Sequence, residues 1–562
     1  MKLRDKITKE NILIVLIILA SFLLFWIPFM GKGFPAGSEI NFHYARIGTL
    51  AESLKEGIFP AKLRPMHMKM YGYGVGFFYP DFFIYPIAFL ISLGADTELV
   101  IKTFEIVIIL SGAFVTYICL YRISGNKIAA LIGEILFMGS KINYDNLING
   151  AGLPHLCAYL FIPLAVLGLL EVFQGKTKGY IKYGIGITVV LLSHHLIFLT
   201  LMFVLLIIVL MNVDRIIDNI RILGRLFLIS LVAMALTTAY WLPAMEQAFH
   251  IRFIALYDNS YDITEHLMTF KDLFMIHIGP ILFVMFILAA VGAGLLALKG
   301  VKIKREIPEI FIVSIVIIFI TCSKAIWVGK IGQVLNFFQY PQRFVFVLTN
   351  LMIIFAVIVL GEIDSSFSNK MIKVGVILAA LILLFATRFD NKSDFYDINS
   401  YSRKVLDPED YHSEYRVSGA EWLPVECEPS ECKTPNTSKA DDGSGADGFK
   451  HDNAKYYEVW INLEKKYYDV PYVYYYGYRA YLVDENLNPT EELKVGEAFD
   501  DNGYVRVFMP EGEKGFGHLL VTYKKTAIQK VSYVISMMAA VGIIAFCVVK
   551  GFGKRKGEYT DA

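Results

Sequence analysis

The sequence predicts a polytopic α-helical membrane protein of about twelve spans, with a β-rich domain outside the cytoplasm near its C-terminus. Three observations predict this. Hydrophobic residues make up 56% of the 562-residue chain and charged residues 19%, with a mean hydropathy of +0.51, values that make the bilayer its main solvent. Apolar runs near the ~20 residues needed to cross a bilayer core recur from Asn11 to Cys547. From Tyr456 onward, aromatic and β-branched runs alternate with Gly and Pro turns, the pattern of short strands.

Taken in order, MKLRDKITK precedes an apolar run, Asn11–Met30, that is too long for a signal peptide and lacks a small-residue cleavage site, so it reads as a retained first span. Further spans are expected at Val100–Tyr121, Lys127–Met138, Pro154–Phe173, Tyr180–Leu192, Leu196–Met211, Arg225–Leu242, Phe274–Leu298, Ile307–Cys322, Phe344–Leu360, Met371–Ala386 and Ile528–Val549. The basic clusters at Lys2–Lys6, Lys176–Lys182, Arg215–Arg225, Lys299–Arg305 and Lys554–Lys556 then share one side, placing both termini in the cytoplasm of a plasma-membrane protein. The same alternation requires the short run Phe82–Leu93 to be interfacial or re-entrant. The expected organisation is a membrane domain over 1–387 with outer loops 31–81, 140–153 and 246–271. An extracytoplasmic β-sandwich-like domain follows over 388–525, then a final span and cytoplasmic tail over 526–562. Within the 388–525 domain, KADDGSGADG reads as an exposed loop. A formal net charge of +1 leaves no nucleic-acid footprint.

The chemistry is expected in the outer loops. GSEINFHYARI places Glu39, His43 and Arg46 at spacings of four and three, which on a helix share one face: a proton acceptor beside groups able to hold a phosphate, or equally an amphipathic interfacial helix. MYGYGVGFFYPD, with Gly72, Gly74 and Gly76 among aromatics, matches no nucleotide loop and suits the bilayer interface; Asp81 has no assigned role. In LLSHHLIFL, His194 and His195 point about 100° apart if helical, so they are read as cavity-lining hydrogen-bonding groups, one of which touches substrate. TTAYWLPAMEQ contributes Trp241 and Glu246, and NFFQYPQRF contributes Gln339 and Arg343, a guanidinium that either snorkels to headgroups or binds a lipid-linked phosphate. Glu134, inside a span, is costly unless it faces a polar partner. No Cys/His/Asp spacing completes a metal site, and no cofactor is expected. Cys427 and Cys432 are close enough for a local disulfide in an oxidising compartment.

GSEINFHYARI and its Gly-rich sequel, LSHHL, YWLPAMEQ, QYPQRF and VPYVYYYGYRAYLV, in this order, resemble the bacterial 6-pyruvoyl-tetrahydropterin synthase-related membrane proteins, themselves similar to YfhO-type and other C-fold (GT-C) glycosyltransferases. The resemblance implies transfer of a sugar from a polyprenyl-phosphate donor to a cell-envelope polysaccharide, teichoic acid or protein acceptor. Glu39 stands at the place of the catalytic base, where the family more often carries Asp. A transporter or flippase, or a non-catalytic assembly scaffold for lipid-linked glycans, is the competing class.

Overall fold

The computed structural model describes residues 9–35, 37, 39–149, 152–257, 266–335, 338–364, 403–404, 421–452 and 454–560. The expected span Met371–Ala386 lies outside them. The chain divides into two compact units, one built from 1–40, 97–233 and 262–405, the other from 41–96, 234–261 and 406–562.

The first unit is helical. Among the described residues of the whole chain, six helices are long and apolar enough to cross a membrane by length and composition: Lys9–Trp26, Thr97–Ser124, Leu153–Phe173, Pro280–Leu298, the helix beginning at Arg343, and the last, beginning at Ala527. A seventh crossing arises if Arg221–Leu236 and Thr238–His250, bent by 72° at Thr237, count as one span. The remaining apolar stretches form shorter helices, Lys127–Met138, Lys178–Ser193, His195–Met211 and Glu306–Cys322. Asn126 caps the first of these by accepting the N–H groups of Ile128 and Ala129 at 2.9 and 3.0 Å.

Small residues let two neighbours in this unit pack backbone to backbone. A Cβ on Gly168 would lie 2.1 Å from the Tyr183 nitrogen, and one on Gly186 2.5 Å from the Ala165 nitrogen, so Leu153–Phe173 and Lys178–Ser193 approach more closely than larger side chains allow. The role of Glu134 is now visible. Fully buried, it accepts the Ser21 hydroxyl at 2.8 Å and ties the first helix to Lys127–Met138.

In the second unit, nine antiparallel strands follow one another along the chain: β1 (Thr437–Ala440), β2 (Gly445–His451), β3 (Tyr456–Asn462), β4 (Tyr467–Val473), β5 (Tyr478–Val483), β6 (Pro489–Leu493), β7 (Val495–Glu497), β8 (Tyr504–Phe508) and β9 (Phe516–Tyr523). Their spatial order is β6-β5-β9-β3-β2-β1-β4-β8-β7. β2 joins the halves: Gly445–Asp447 pair with β1, and Gly448–His451 pair with β3. Gly448 at the changeover has no room for a side chain, since a Cβ would sit 2.3 Å from the Glu458 carbonyl oxygen. The stretch KADDGSGADG is therefore a hairpin and not the expected loop. Asp442 accepts the Ser444 N–H at 3.0 Å and hydroxyl at 2.6 Å, and Gly443 takes φ +80°, closing a tight turn between two strands.

The core of this unit draws on all three of its segments. Tyr71, Tyr73, Phe77 and Phe78 from the early segment and Phe253 from the middle one are buried with Tyr457, Tyr472 and Tyr475 of the late one. Phe78 stacks on Trp422 at 4.0 Å, and the Tyr71 carbonyl accepts the Val473 N–H at 2.8 Å. The helix Tyr85–Ser92, eight residues long, is too short to cross a bilayer.

Candidate functional site

In the first unit the chain converges on Arg343, the first residue of a long apolar helix. Its Nη1 lies 2.8 Å from Nε2 of His155 and 3.3 Å from Nε2 of His194, and its Nη2 donates to Oε1 of Gln339 at 3.3 Å. The Tyr340 ring lies 5.9 Å from the guanidinium carbon. Each partner has a local cause. Gln339 adopts φ +66°, a left-handed conformation unusual for a side-chain-bearing residue, immediately before the helix. His155 sits in the first turn of Leu153–Phe173, just after Pro154. His194 takes extended backbone, φ −155° and ψ 113°, and caps the next helix.

That break corrects the expectation that His194 and His195 diverge as helical neighbours. They lie on either side of a helix boundary, and their rings are nearly parallel at 5.5 Å. His155 was missed because a single His inside an apolar run reads as a core residue; its position at the Pro-led start of a span was the available signal. The His155 and His194 rings are 4.2 Å apart. Both nitrogens of His194 face N–H donors, Ile197 at 3.4 Å and Arg343 at 3.3 Å. A neutral imidazole accepts at only one nitrogen, so His155 makes the stronger bond to the guanidinium. Glu39, in the same unit, is half-buried in the turn directly before the helix Ile40–Lys55.

In the second unit His43 and Arg46 lie on that helix, with Arg46 Nη1 3.3 Å from His43 Nδ1. Arg46 is fully buried and donates through Nη2 to the Pro80 carbonyl at 3.2 Å and to Oδ1 of Asp81 at 3.0 Å. The Tyr79 ring lies 4.9 Å from its guanidinium carbon. Asp81, without an assigned role from sequence, also pairs through Oδ2 with Arg64. Glu246 accepts the Thr526 hydroxyl at 2.7 Å and Gln529 Nε2 at 3.5 Å, linking Thr238–His250 to the start of the last helix. Trp241 donates its indole N–H to the Met234 carbonyl at 3.0 Å, across the helix bend.

Cys427 and Cys432 carry free thiols, both buried. Cys432 lies 3.6 Å from the Tyr504 hydroxyl, and its hydrogen bond with Cys427 lowers its pKa while raising that of Cys427. Among the described residues, no three His, Cys, Asp or Glu side chains are grouped so as to hold a metal ion.

A family profile described as 6-pyruvoyl-tetrahydropterin synthase related domain, membrane protein, matches residues 77–391. An uncharacterized protein of Lactococcus lactis subsp. cremoris (strain MG1363) is 27% identical over 253 residues, which cover 43% of this chain and 41% of the length of that relative. Among solved structures, the Archaeoglobus fulgidus oligosaccharyltransferase in complex with zinc and sulfate aligns with 70% of this chain and 53% of its own. The identity is 14% and the TM-score 0.38, a likeness too distant to carry its chemistry over.

Proposed function

This chain belongs to the family of 6-pyruvoyl-tetrahydropterin synthase related membrane proteins, and from that premise we propose that it transfers a sugar from a polyprenyl-phosphate donor to an acceptor outside the cytoplasm. The observation that carries the reading is the Arg343 guanidinium, held by two imidazoles and a side-chain amide where an apolar helix begins. A planar guanidinium is matched to phosphate, and the imidazoles beside it add hydrogen-bonding groups. Arg343, and not Arg46, is assigned the donor's phosphate because it lies in the same unit as Glu39.

The acceptor hydroxyl attacks the anomeric carbon as the bond to the phosphate oxygen breaks. Glu39 receives the hydroxyl proton, and Arg343 stabilises the charge left on the departing phosphate. His194 and His195, in the same unit as Glu39 and Arg343, contact the substrates, and no cofactor is required. About twelve crossings with both termini in the cytoplasm would put Glu39 and the sheet on the outer side.

The test is a reconstituted assay of the full chain with a panel of polyprenyl-phosphate sugars and cell-envelope acceptors. Glu39→Gln is expected to lower turnover roughly 100-fold. Arg343→Ala is expected to weaken donor binding by about 2 to 5 kcal/mol. Folded wild-type protein that moves lipid-linked glycan across vesicles but forms no glycosidic bond would replace this reading with transport.

A further inference from the structure

Asp81 is the carboxylate of a buried basic cluster. Arg46 reaches its Oδ1 and Arg64 its Oδ2, and both arginine side chains are fully buried. Lys62 feels both Asp81 and Arg64, and burial lowers its pKa to about 8. Its ammonium lies 5.7 Å from the Tyr240 ring. His67 is also fully buried, edge-on to Tyr73 at 5.3 Å, and burial, reinforced by Arg64 and Arg46, lowers its pKa to about 3. Three cations thus surround one carboxylate. Glu421 is held on the Tyr79 hydroxyl at 2.6 Å, so even with it the cluster carries surplus positive charge.

The hydrogen-bond inventory points the same way. Nε of Arg46, Nε and Nη1 of Arg64, and both ring nitrogens of His67 are buried and make no hydrogen bond among the described residues. Arginine has no acceptor capacity and does not deprotonate, so its open positions can be met only by acceptors. A neutral acceptor would satisfy the hydrogen bonds and leave the charge surplus, which is strongly unfavourable when desolvated; an anion satisfies both.

We propose that this cluster is a binding site for a tetrahedral oxyanion of the phosphate or sulfate class, held by Arg64, Arg46 and His67 with Lys62 adding charge. The oxyanion is either free in solution or the phosphate of a lipid headgroup. The site shares no residue with the Arg343 constellation and stands whether or not the protein transfers sugar.

The test uses the full chain in detergent, exchanged into chloride and titrated at constant ionic strength with inorganic phosphate, with sulfate, or with undecaprenyl phosphate in mixed micelles, following the thermal midpoint. A saturable rise that chloride does not reproduce is expected. Arg64→Gln should weaken the apparent affinity by at least about tenfold, through loss of charge-assisted bonds. Arg479→Gln, at an exposed arginine paired with Glu492, should leave it unchanged. If Arg64→Gln does not fold, His67→Phe keeps the contact with Tyr73 while removing both nitrogens, and should weaken binding several-fold. A rise with inorganic phosphate identifies the free anion, and a rise with the lipid alone identifies the headgroup. No saturable rise with any probe, or one unchanged in both variants, overturns the site.

Discussion

Gly76→Ala is the sharpest probe of how the early segment of the second unit is built. Its added Cβ would lie 2.7 Å from the Lys62 carbonyl oxygen, 2.8 Å from Oδ2 of Asp81 and 3.0 Å from the Ala61 carbonyl oxygen. Two of the three are backbone atoms. The Lys62 carbonyl is moreover fixed by the Gly76 N–H at 3.0 Å, and Asp81 is fixed by two arginines. Overpacking of this kind costs about 1 to 3 kcal/mol. Replacing Gly by Ala returns about 0.4 to 1 kcal/mol through the unfolded chain, leaving a net loss centred on about 1.3 kcal/mol. Gly224, within Arg221–Leu236 and with nothing within 4 Å of its would-be Cβ, is the control. Ala there should be neutral or stabilising by up to about 1 kcal/mol. Denaturant unfolding of the full-length protein in detergent, with both variants measured side by side, checks the pair. Gly76→Ala as stable as Gly224→Ala would refute the close approach of Gly76 to Ala61, Lys62 and Asp81.

Three other expectations rest on single features. Asp469 takes Nε and Nη2 of Arg506 at 2.7 and 2.8 Å while Asp500 takes Nη1 at 2.6 Å, so Asp469→Ala leaves Arg506 one carboxylate and should cost about 1 to 3 kcal/mol by denaturant unfolding, and Asp469→Asn less. Burial, with Glu426 nearby, raises the pKa of Glu497 to about 7, so between about pH 4.5 and 7 the unfolded chain holds fewer protons than the folded one. Stability should therefore fall as pH rises through that window, and Glu497→Gln should flatten the profile; identical profiles would remove the claim. Cys427 and Cys432 are free thiols in the structure, but the placement outside the cytoplasm expected from sequence should oxidise them to a bridge in protein isolated from its native membrane, and peptide mapping that finds both alkylated would show otherwise.

The helices were legible because long apolar runs bounded by basic or Asn/Gly residues have few alternatives, as at Lys127–Met138, which begins after its Asn126 cap. The hairpin Thr437–His451 was not, because its strands carry Lys, Asp and Gly without a period-two apolar face, and only pairing with β3 and β4 gives them a role. Asp81 was unreadable for a different reason. Its partners Arg46 and Arg64 lie 35 and 17 residues away, and nothing in local spacing joins them. Gly72, Gly74 and Gly76 stood out as an alternating set, yet each answers a different demand: φ +82° at Gly72, the Tyr475 ring 2.4 Å from a Cβ at Gly74, and the carbonyls described above at Gly76. Likewise Arg343 and His194 were nameable singly, while the constellation needed His155, 188 residues from Arg343.

The shared core of the second unit carries a last consequence, for how this chain can be divided. The strands from Thr437 to Tyr523 look like a domain that could be expressed alone, but Tyr71, Tyr73, Phe77 and Phe78, all nearly fully buried among them, come from a segment more than three hundred residues earlier. Burying one large apolar side chain contributes about 1.5 to 3 kcal/mol, so these four contribute about 6 to 12 kcal/mol. That is comparable to the whole net stability of an ordinary domain, about 5 to 15 kcal/mol. The middle segment is bound as firmly in kind. Gln247 donates to the Tyr476 carbonyl at 2.8 Å and accepts the Tyr476 N–H at 2.9 Å, and Tyr240 donates to the Phe78 carbonyl at 2.8 Å. A fragment spanning 421–526 should therefore lack cooperative unfolding and show exposed apolar surface by dye binding, whereas the same fragment with 56–81 fused through a flexible linker should recover at least part of the transition. A sharp, dye-silent transition for the 421–526 fragment alone would mean that the early aromatics decorate a core already complete without them.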